Sequence, residues 1–176
     1  MIELLIEEHI RDVVDFPKPG ILFKDITPIL LNHELCLQIV DEFVKRLSNT
    51  KIDAIAGVES RGFLFGLMLA NALQVPFIPI RKAGKLPYHT ISQTYDLEYG
   101  TATIQMHTDA IMPGQRILIH DDLLATGGTV GAAASLIKKL DGNIAGFAFL
   151  IELSFLNGRK AITGISDNIV TLKSYY

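Results

Sequence analysis

Tryptophan, long apolar runs and an excess of positive charge are missing from this chain, and cysteine is nearly so. Its 176 residues hold one cysteine, Cys36, so no internal disulfide can form and a disulfide-stapled secreted scaffold is excluded. Cys36 sits in the apolar-patterned segment 34–47, where a packing role is expected. No uninterrupted apolar stretch approaches the ~20 residues that cross a bilayer. The first residues, Met1-Ile2-Glu3-Leu4-Leu5 and then Glu7-Glu8-His9, lack the basic region and apolar core of a secretory signal. No membrane association and a cytoplasmic location are therefore expected. Lys and Arg total 16 against 19 Asp and Glu, a net charge of −3, which excludes a nucleic-acid binder driven by bulk charge. Local basic clusters remain free to bind an anion. Repeats, low-complexity tracts and linkers are absent as well.

What is present is apolar and patterned. Hydrophobic residues make up 49% of the chain, enough for a two-sided core in a single domain spanning 1–176. Apolar positions at helical spacing predict a helix over 2–13, ended by Phe16-Pro17-Lys18-Pro19-Gly20, which forces an extended turn. An irregular stretch follows through Asp25-Ile26-Thr27-Pro28, then a helix over 34–47. Residues 52–58 read as a buried strand, Ser60-Arg61-Gly62 opens a helix to Leu73, and 75–80 is the next strand, a βαβ unit. Residues 81–93 read as a long polar, basic loop, and 95–106 as two antiparallel strands around Tyr99-Gly100. A strand over 116–120, a helix over 127–140, a strand over 144–151, a short helix over 156–162 and a strand over 169–172 complete the pattern. Such alternation predicts an α/β fold with a mostly parallel sheet covered on both faces. Ligands of such sheets bind at the carboxyl ends of the strands, where the loops after Val58, Ile80 and His120 fall.

One segment carries most of the chemistry. The strand ending at His120 is followed by Asp121-Asp122, then by Ala125-Thr126-Gly127-Gly128-Thr129 at the head of a helix. A helix N-terminus offers unpaired amides and a favourable dipole to a phosphate monoester. The glycines allow close approach, Thr126 and Thr129 add hydroxyls, and each charge-assisted hydrogen bond is worth roughly 1.5–3 kcal/mol. Two familiar phosphate signatures do not apply: no Gly-Lys pair is followed by Ser or Thr, and the adjacent Gly127 and Gly128 break a G-x-G-x-x-G spacing. Two neighbouring carboxylates repel one another unless sugar hydroxyls or a divalent ion compensate them. A turn or N-cap is the ordinary use of Asp here, but the attached loop points to a ligand that is both a sugar and a phosphate. Arg81, Lys82 and Lys85 place three cations within five residues, either a solvated basic loop or a polyanion site. His120, on an otherwise buried strand, reads as a hydrogen-bonded core histidine.

The string from Arg116 to Val130 resembles the PRPP-binding motif of type I phosphoribosyltransferases. Five blocks in order extend the resemblance to the adenine phosphoribosyltransferases over nearly the whole chain. They are Asp15-Phe16-Pro17-Lys18-Pro19-Gly20-Ile21, Glu59 to Gly66, Arg81 to Pro87, Leu97-Glu98-Tyr99-Gly100, and His120 to Thr129. The resemblance implies a type I phosphoribosyltransferase fold in which about residues 1–35 form a base-binding hood. It also implies transfer of the 5-phosphoribosyl group of PRPP to adenine, giving AMP and pyrophosphate, with Mg²⁺ carried mainly by PRPP and water, in a homodimer. By position, Asp121 and Asp122 would hold the ribose hydroxyls and residues Ala125, Thr126, Gly127, Gly128 and Thr129 the 5′-phosphate. Ser60 and Arg61, behind a cis Glu59–Ser60 peptide, would join Arg81, Lys82 and Lys85 on pyrophosphate. Leu22, Phe23 and Lys24 would bind adenine, with Phe23 stacking on the base and Leu22 reading its edge through the backbone. Glu98 would handle the purine N7 proton. The segment 86–96 would be a mobile flap. Lys24 stands where arginine is common, and His120 where an apolar residue is usual. Two alternatives stay open at the level of sequence: a phosphoribosyltransferase for a 6-oxo purine, which Lys24 would suit, and a PRPP-sensing regulator without catalysis.

Overall fold

A computed structural model of the chain describes residues 1–97 and 100–176. In chain order the strands are β1 (Arg11–Val14), β2 (Leu22–Asp25), β3 (Ala54–Val58), β4 (Phe77–Lys82), β5 (Thr90–Asp96), β6 (Thr101–His107), β7 (Arg116–Leu124), β8 (Asn143–Leu153) and β9 (Ile169–Tyr175). The helices are α1 (Ile2–His9), α2 (Thr27–Leu30), α3 (His33–Arg46), α4 (Gly62–Leu73), α5 (Gly128–Lys139) and α6 (Gly158–Thr163), with a 3-10 turn over Ser154–Leu156. The main sheet has the order β5-β6-β4-β3-β7-β8-β9. β3, β4, β7, β8 and β9 are parallel, and the β5–β6 hairpin joins the edge antiparallel to β4. The mostly parallel α/β sheet expected from the sequence is the fold found.

Strand periodicity explains the two cores. Ala54, Ala56 and Val58 of β3, Ile117 and Ile119 of β7, and Phe147 and Phe149 of β8 pack with α5 on one face. Ile55, Leu118, Ala148 and Leu150 alternate to the other face, against α1, α3 and α4. The amphipathic α3 is capped by the Asn32 side chain, which accepts from the Leu35 N–H, and carries Lys45 and Arg46 in its last turn, where they oppose the helix dipole.

Four expectations need correction. The first helix stops at His9 rather than continuing to residue 13, because Arg11–Val14 pairs in full antiparallel register with Leu22–Asp25. Ile10, Val13 and Val14 suit either period, and the available partner strand decides. The irregular stretch before residue 28 thereby contains β2, and β1 and β2 form a small two-stranded sheet of their own. Residues 81–93 are not one long loop: β4 runs to Lys82 and β5 starts at Thr90. That second strand takes in Thr90 to Asp96 of the expected flap, which pair residue by residue with His107 to Thr101 as an antiparallel arm. Finally, β7 extends past His120 to Leu124, so Asp121 and Asp122 lie inside the strand instead of following it.

Candidate active site

The adjacency of β4, β3 and β7 brings three loops to one edge of the sheet: 59–61, 83–89 and 125–127. In the last of these, Gly127 turns the chain with φ 84° into α5, whose N-terminus has no side-chain cap. Its first amides are therefore without intrahelical partners. They border a small cavity of ≈ 60 Å³ lined by Asp121 and residues 123–130. From behind, α6 presses on the loop. A Cβ on Gly158 would overlap the Ala125 carbonyl oxygen, and one on Gly127 would come within 2.9 Å of the Gly158 carbonyl. This support by Gly158 was not read from the sequence; the Asn157-Gly158 pair was its only signal.

Asp122 shares its face of β7 with Leu118 and His120 and there meets α4. Its Oδ2 forms an ion pair with Arg61 Nε at 2.9 Å. The same oxygen is buried and accepts no well-directed hydrogen bond among the described residues, so it retains capacity for a ligand hydroxyl. Asp121 Oδ1 accepts from the Asp122 N–H at 2.9 Å. Burial, followed by repulsion from Asp122, pushes the Asp121 carboxyl well above the ordinary 3.8. Burial also raises Asp122, against the opposing pull of Arg61. Cationic or hydroxyl-bearing ligands would relieve both.

Arg61 is the hub of the site. It follows the cis Glu59–Ser60 peptide, and its guanidinium lies 4.9 Å from the centroid of the Phe23 ring. Phe16 meets Phe23 edge-on at 5.1 Å. One side chain therefore touches the strand carboxylate and the hood aromatic, and its neighbour Ser60 is exposed at the same turn. Leu22, 48% exposed, lies on β2, whose outer edge has no strand partner among the described residues. Lys24 is directed elsewhere: its ammonium pairs with Asp12 at 2.6 Å and lies 4.3 Å above the Tyr175 ring. The structure thus brings together Asp121, Asp122, Arg61, Phe23 and the 125–129 loop, and separates Lys24 from them.

The three cations of the 81–85 segment are not equivalent. Glu59, unnoticed in the sequence except as part of a motif, accepts from Arg81 Nη2 at 3.2 Å, Lys85 Nζ at 3.1 Å and the Lys82 N–H at 2.9 Å. Burial works against its charge, but the Lys82 amide, Arg81 and Lys85 outweigh it and hold the carboxyl down at about 2. Lys82 has its ammonium in no ion pair among the described residues. Glu98 and Tyr99 lie outside the described residues. His120 is fully buried, edge-on to Phe43 at 5.5 Å, but neither ring nitrogen makes a hydrogen bond among the described residues. It is the core histidine expected, with the Ala148 backbone near its ring but no well-directed hydrogen bond to it. Burial holds it down at about 4, only partly offset by the Ala148 backbone.

Among the described residues, no three His, Cys, Asp or Glu side chains cluster to hold a metal ion. No helix of the described residues is long and apolar enough to cross a membrane. Two roomier grooves, of ≈ 810 and ≈ 510 Å³, include none of the site residues expected from the sequence; the lining of the former includes Glu152 and Arg159, already paired at 2.6 Å.

The family model of the phosphoribosyl transferase domain matches residues 28–168. An adenine phosphoribosyltransferase from Cytophaga hutchinsonii is 53% identical over 175 residues, covering 99% of this chain and 97% of the relative. The crystal structure of adenine phosphoribosyltransferase from Thermoanaerobacter pseudethanolicus superposes with a TM-score of 0.95 at 47% identity, covering 99% of this chain and all of that one. The enzyme from Saccharomyces cerevisiae, solved with adenine and an imino-altritol bisphosphate, superposes with a TM-score of 0.89 at 39% identity over 97% of this chain and 98% of that one. With the loop, the strand carboxylates and the hood in one place, and with likeness along almost its full length, the chain belongs to the adenine phosphoribosyltransferases of the type I phosphoribosyltransferase family.

Proposed function

We propose that this protein transfers the 5-phosphoribosyl group of PRPP to adenine, producing AMP and pyrophosphate in purine salvage. The observation that carries the site assignment is the position of Arg61, in contact with Asp122 on one side and Phe23 on the other. A guanidinium there reaches the ribose carboxylate and the base platform at once. In this reading the amides and hydroxyls of Ala125 to Thr129 hold the 5′-phosphate, and Asp121 and Asp122 accept from the ribose hydroxyls. Adenine enters between Phe23 and Arg61, and the free edge of β2 at Leu22 offers a backbone acceptor and donor to its 6-amino group and N1. Ser60, Arg61 and Lys82 bind pyrophosphate, with Arg81 and Lys85 held beside them by Glu59. Glu98 manages the N7 proton.

The reaction breaks the bond from the anomeric carbon to pyrophosphate as N9 of adenine forms its own, through an oxocarbenium-like state. Asp121 and Asp122, adjacent and low in the site, favour positive charge on that ring. Mg²⁺ would be held mainly by PRPP oxygens and water, with Asp122 beside the ribose hydroxyls, and would supply charge balance for the pyrophosphate. The pairing of Lys24 with Asp12 argues against a 6-oxo base, which needs a free donor.

The protein is also read as a homodimer, in line with the apolar Leu64 and Leu67, exposed by 40% and 58% on α4 beside the pyrophosphate loop. Sedimentation is expected to give twice 19.4 kDa. The test of the activity is incubation with PRPP, Mg²⁺ and each purine in turn. AMP from adenine alone supports it, IMP from hypoxanthine supports a 6-oxo specificity, and binding without turnover supports a PRPP sensor.

A further inference from the structure

The β5–β6 hairpin touches the phosphate loop at a point that the proposed chemistry leaves unused. Thr129, in the first turn of α5, has its Oγ1 3.1 Å from Tyr95 Oη, near the end of β5. A helical hydroxyl ordinarily bonds back to the carbonyl four residues earlier. Ser135 of the same helix does so, with Oγ 3.1 Å from the Gly131 oxygen. Thr129 stands in the first turn, where the carbonyl four residues earlier belongs to Ala125 of the loop, and its hydroxyl points to the hairpin. The contact is built into the fold: the Tyr95 ring packs against the core, and a Cβ on Gly128 would sit 3.6 Å from it and 3.7 Å from the Asp96 carbonyl. At the far end of α5, Lys139 Nζ donates to the Ser92 carbonyl at 2.8 Å. The strand β5 therefore lies along the helix whose N-terminus faces the phosphate cavity.

We propose that Tyr95 is a positioning residue for the 5′-phosphate, acting through Thr129; this rests on the reading of residues 125–129 as the phosphate loop. A hydroxyl has one proton and two acceptor positions. A phosphate dianion only accepts, so on binding the Thr129 proton turns to the phosphate. Its oxygen is then free to accept, and the Tyr95 phenol supplies the proton. The pair reverses direction and forms a chain from Tyr95 to Thr129 to phosphate, in which each bond polarises the next. No proton is transferred. The same contact ties phosphate occupancy to the hairpin, at whose end the Leu97 N–H donates to the Gly100 carbonyl at 2.9 Å.

The test is calorimetric titration of the full chain with AMP, ribose 5-phosphate and adenine, using wild type, Tyr95→Phe, Thr129→Ala and the double variant, each checked by its melting temperature. Tyr95→Phe is expected to weaken AMP and ribose 5-phosphate alike by about 3- to 10-fold and leave adenine unchanged. The double variant is expected to bind no more weakly than Thr129→Ala alone, since Tyr95 has nothing to act on once the hydroxyl is gone. Thr129→Ser, which keeps the hydroxyl, is expected to restore the Tyr95→Phe penalty. Unchanged phosphate-ligand affinity in Tyr95→Phe, a multiplicative double variant, or equal weakening of adenine overturns the proposal. If Thr129→Ala itself binds ribose 5-phosphate as wild type does, the phosphate-loop reading falls with it.

Discussion

Replacing Glu59 by glutamine removes a charge at the junction of the loop between β3 and α4 and the 81–85 segment while keeping an acceptor for the Lys82 amide. The Glu59 side chain is 8% exposed and faces Arg81 and Lys85, exposed by 34% and 51%. Its carboxyl lies at about 2 against an ordinary 4.5. At about 1.4 kcal/mol per pH unit that difference corresponds to ~3 kcal/mol, which solvent around the two cations screens to ~2 kcal/mol. Because the folded value lies below the unfolded one, the contribution is complete above pH 4.5 and is lost as pH falls towards 2. Glu59→Gln should therefore lower stability by ~2 kcal/mol at pH 7, or about 4–8 °C in Tm, and by only about 1 kcal/mol at pH 3.5. Urea unfolding of both proteins at the two pH values measures this. A deficit that is absent at pH 7, or that does not shrink in acid, refutes the ion-pair account of how the 81–85 cations are held.

Three other outcomes follow from the same geometry. Asp122→Asn should lower kcat by about 10²-fold while weakening AMP binding by less than about tenfold, because the charge matters most when the ring becomes cationic; equal losses in kinetics and titration would contradict that role. Phe23→Ala should raise KM for adenine about 5- to 100-fold, the value of one base–aromatic stack, with KM for PRPP unchanged in steady-state assays. His120, buried and held at about 4, takes up its proton only after the unfolded chain has done so near 6.5, so it costs stability as pH falls through that window. His120→Leu should remove about 2 kcal/mol of the loss that wild type suffers between pH 7 and pH 5, with kcat at pH 7 unchanged, as read by urea unfolding and initial rates.

The central sheet was legible because its strands are nearly continuous apolar runs bounded by turn residues, and β3, β7 and β8 fall where those runs lie. The 125–129 loop at the head of α5 was legible for a related reason: small residues in a row are poor core material and mark a turn into a helix. The hood was not. Arg11–Val14 and Leu22–Asp25 are four residues each, half-exposed, and become strands only through one another. The hairpin was half legible, since Ile91, Gln93 and Tyr95 alternate with exposed residues but their partners in β6 lie across a turn. Side-chain pairing was the least accessible level. Glu59 binding two of the three cations, Lys24 committed to Asp12, and Tyr95 meeting Thr129 all join residues 12 to 34 positions apart, which no local pattern encodes.

The central claim is that one site, with Arg61 at its centre, holds ribose 5-phosphate, base and pyrophosphate in the stated places. A crystal structure of the protein with AMP and pyrophosphate tests it most directly. Phosphate oxygens are expected on the amides of 126–129, ribose hydroxyls on Asp121 and Asp122, pyrophosphate at Ser60 and Lys82, and adenine between Phe23 and Arg61. Adenine bound away from the hood, with Arg61 still stacked on Phe23, or the nucleotide phosphate seated at residues 81–85, would contradict it.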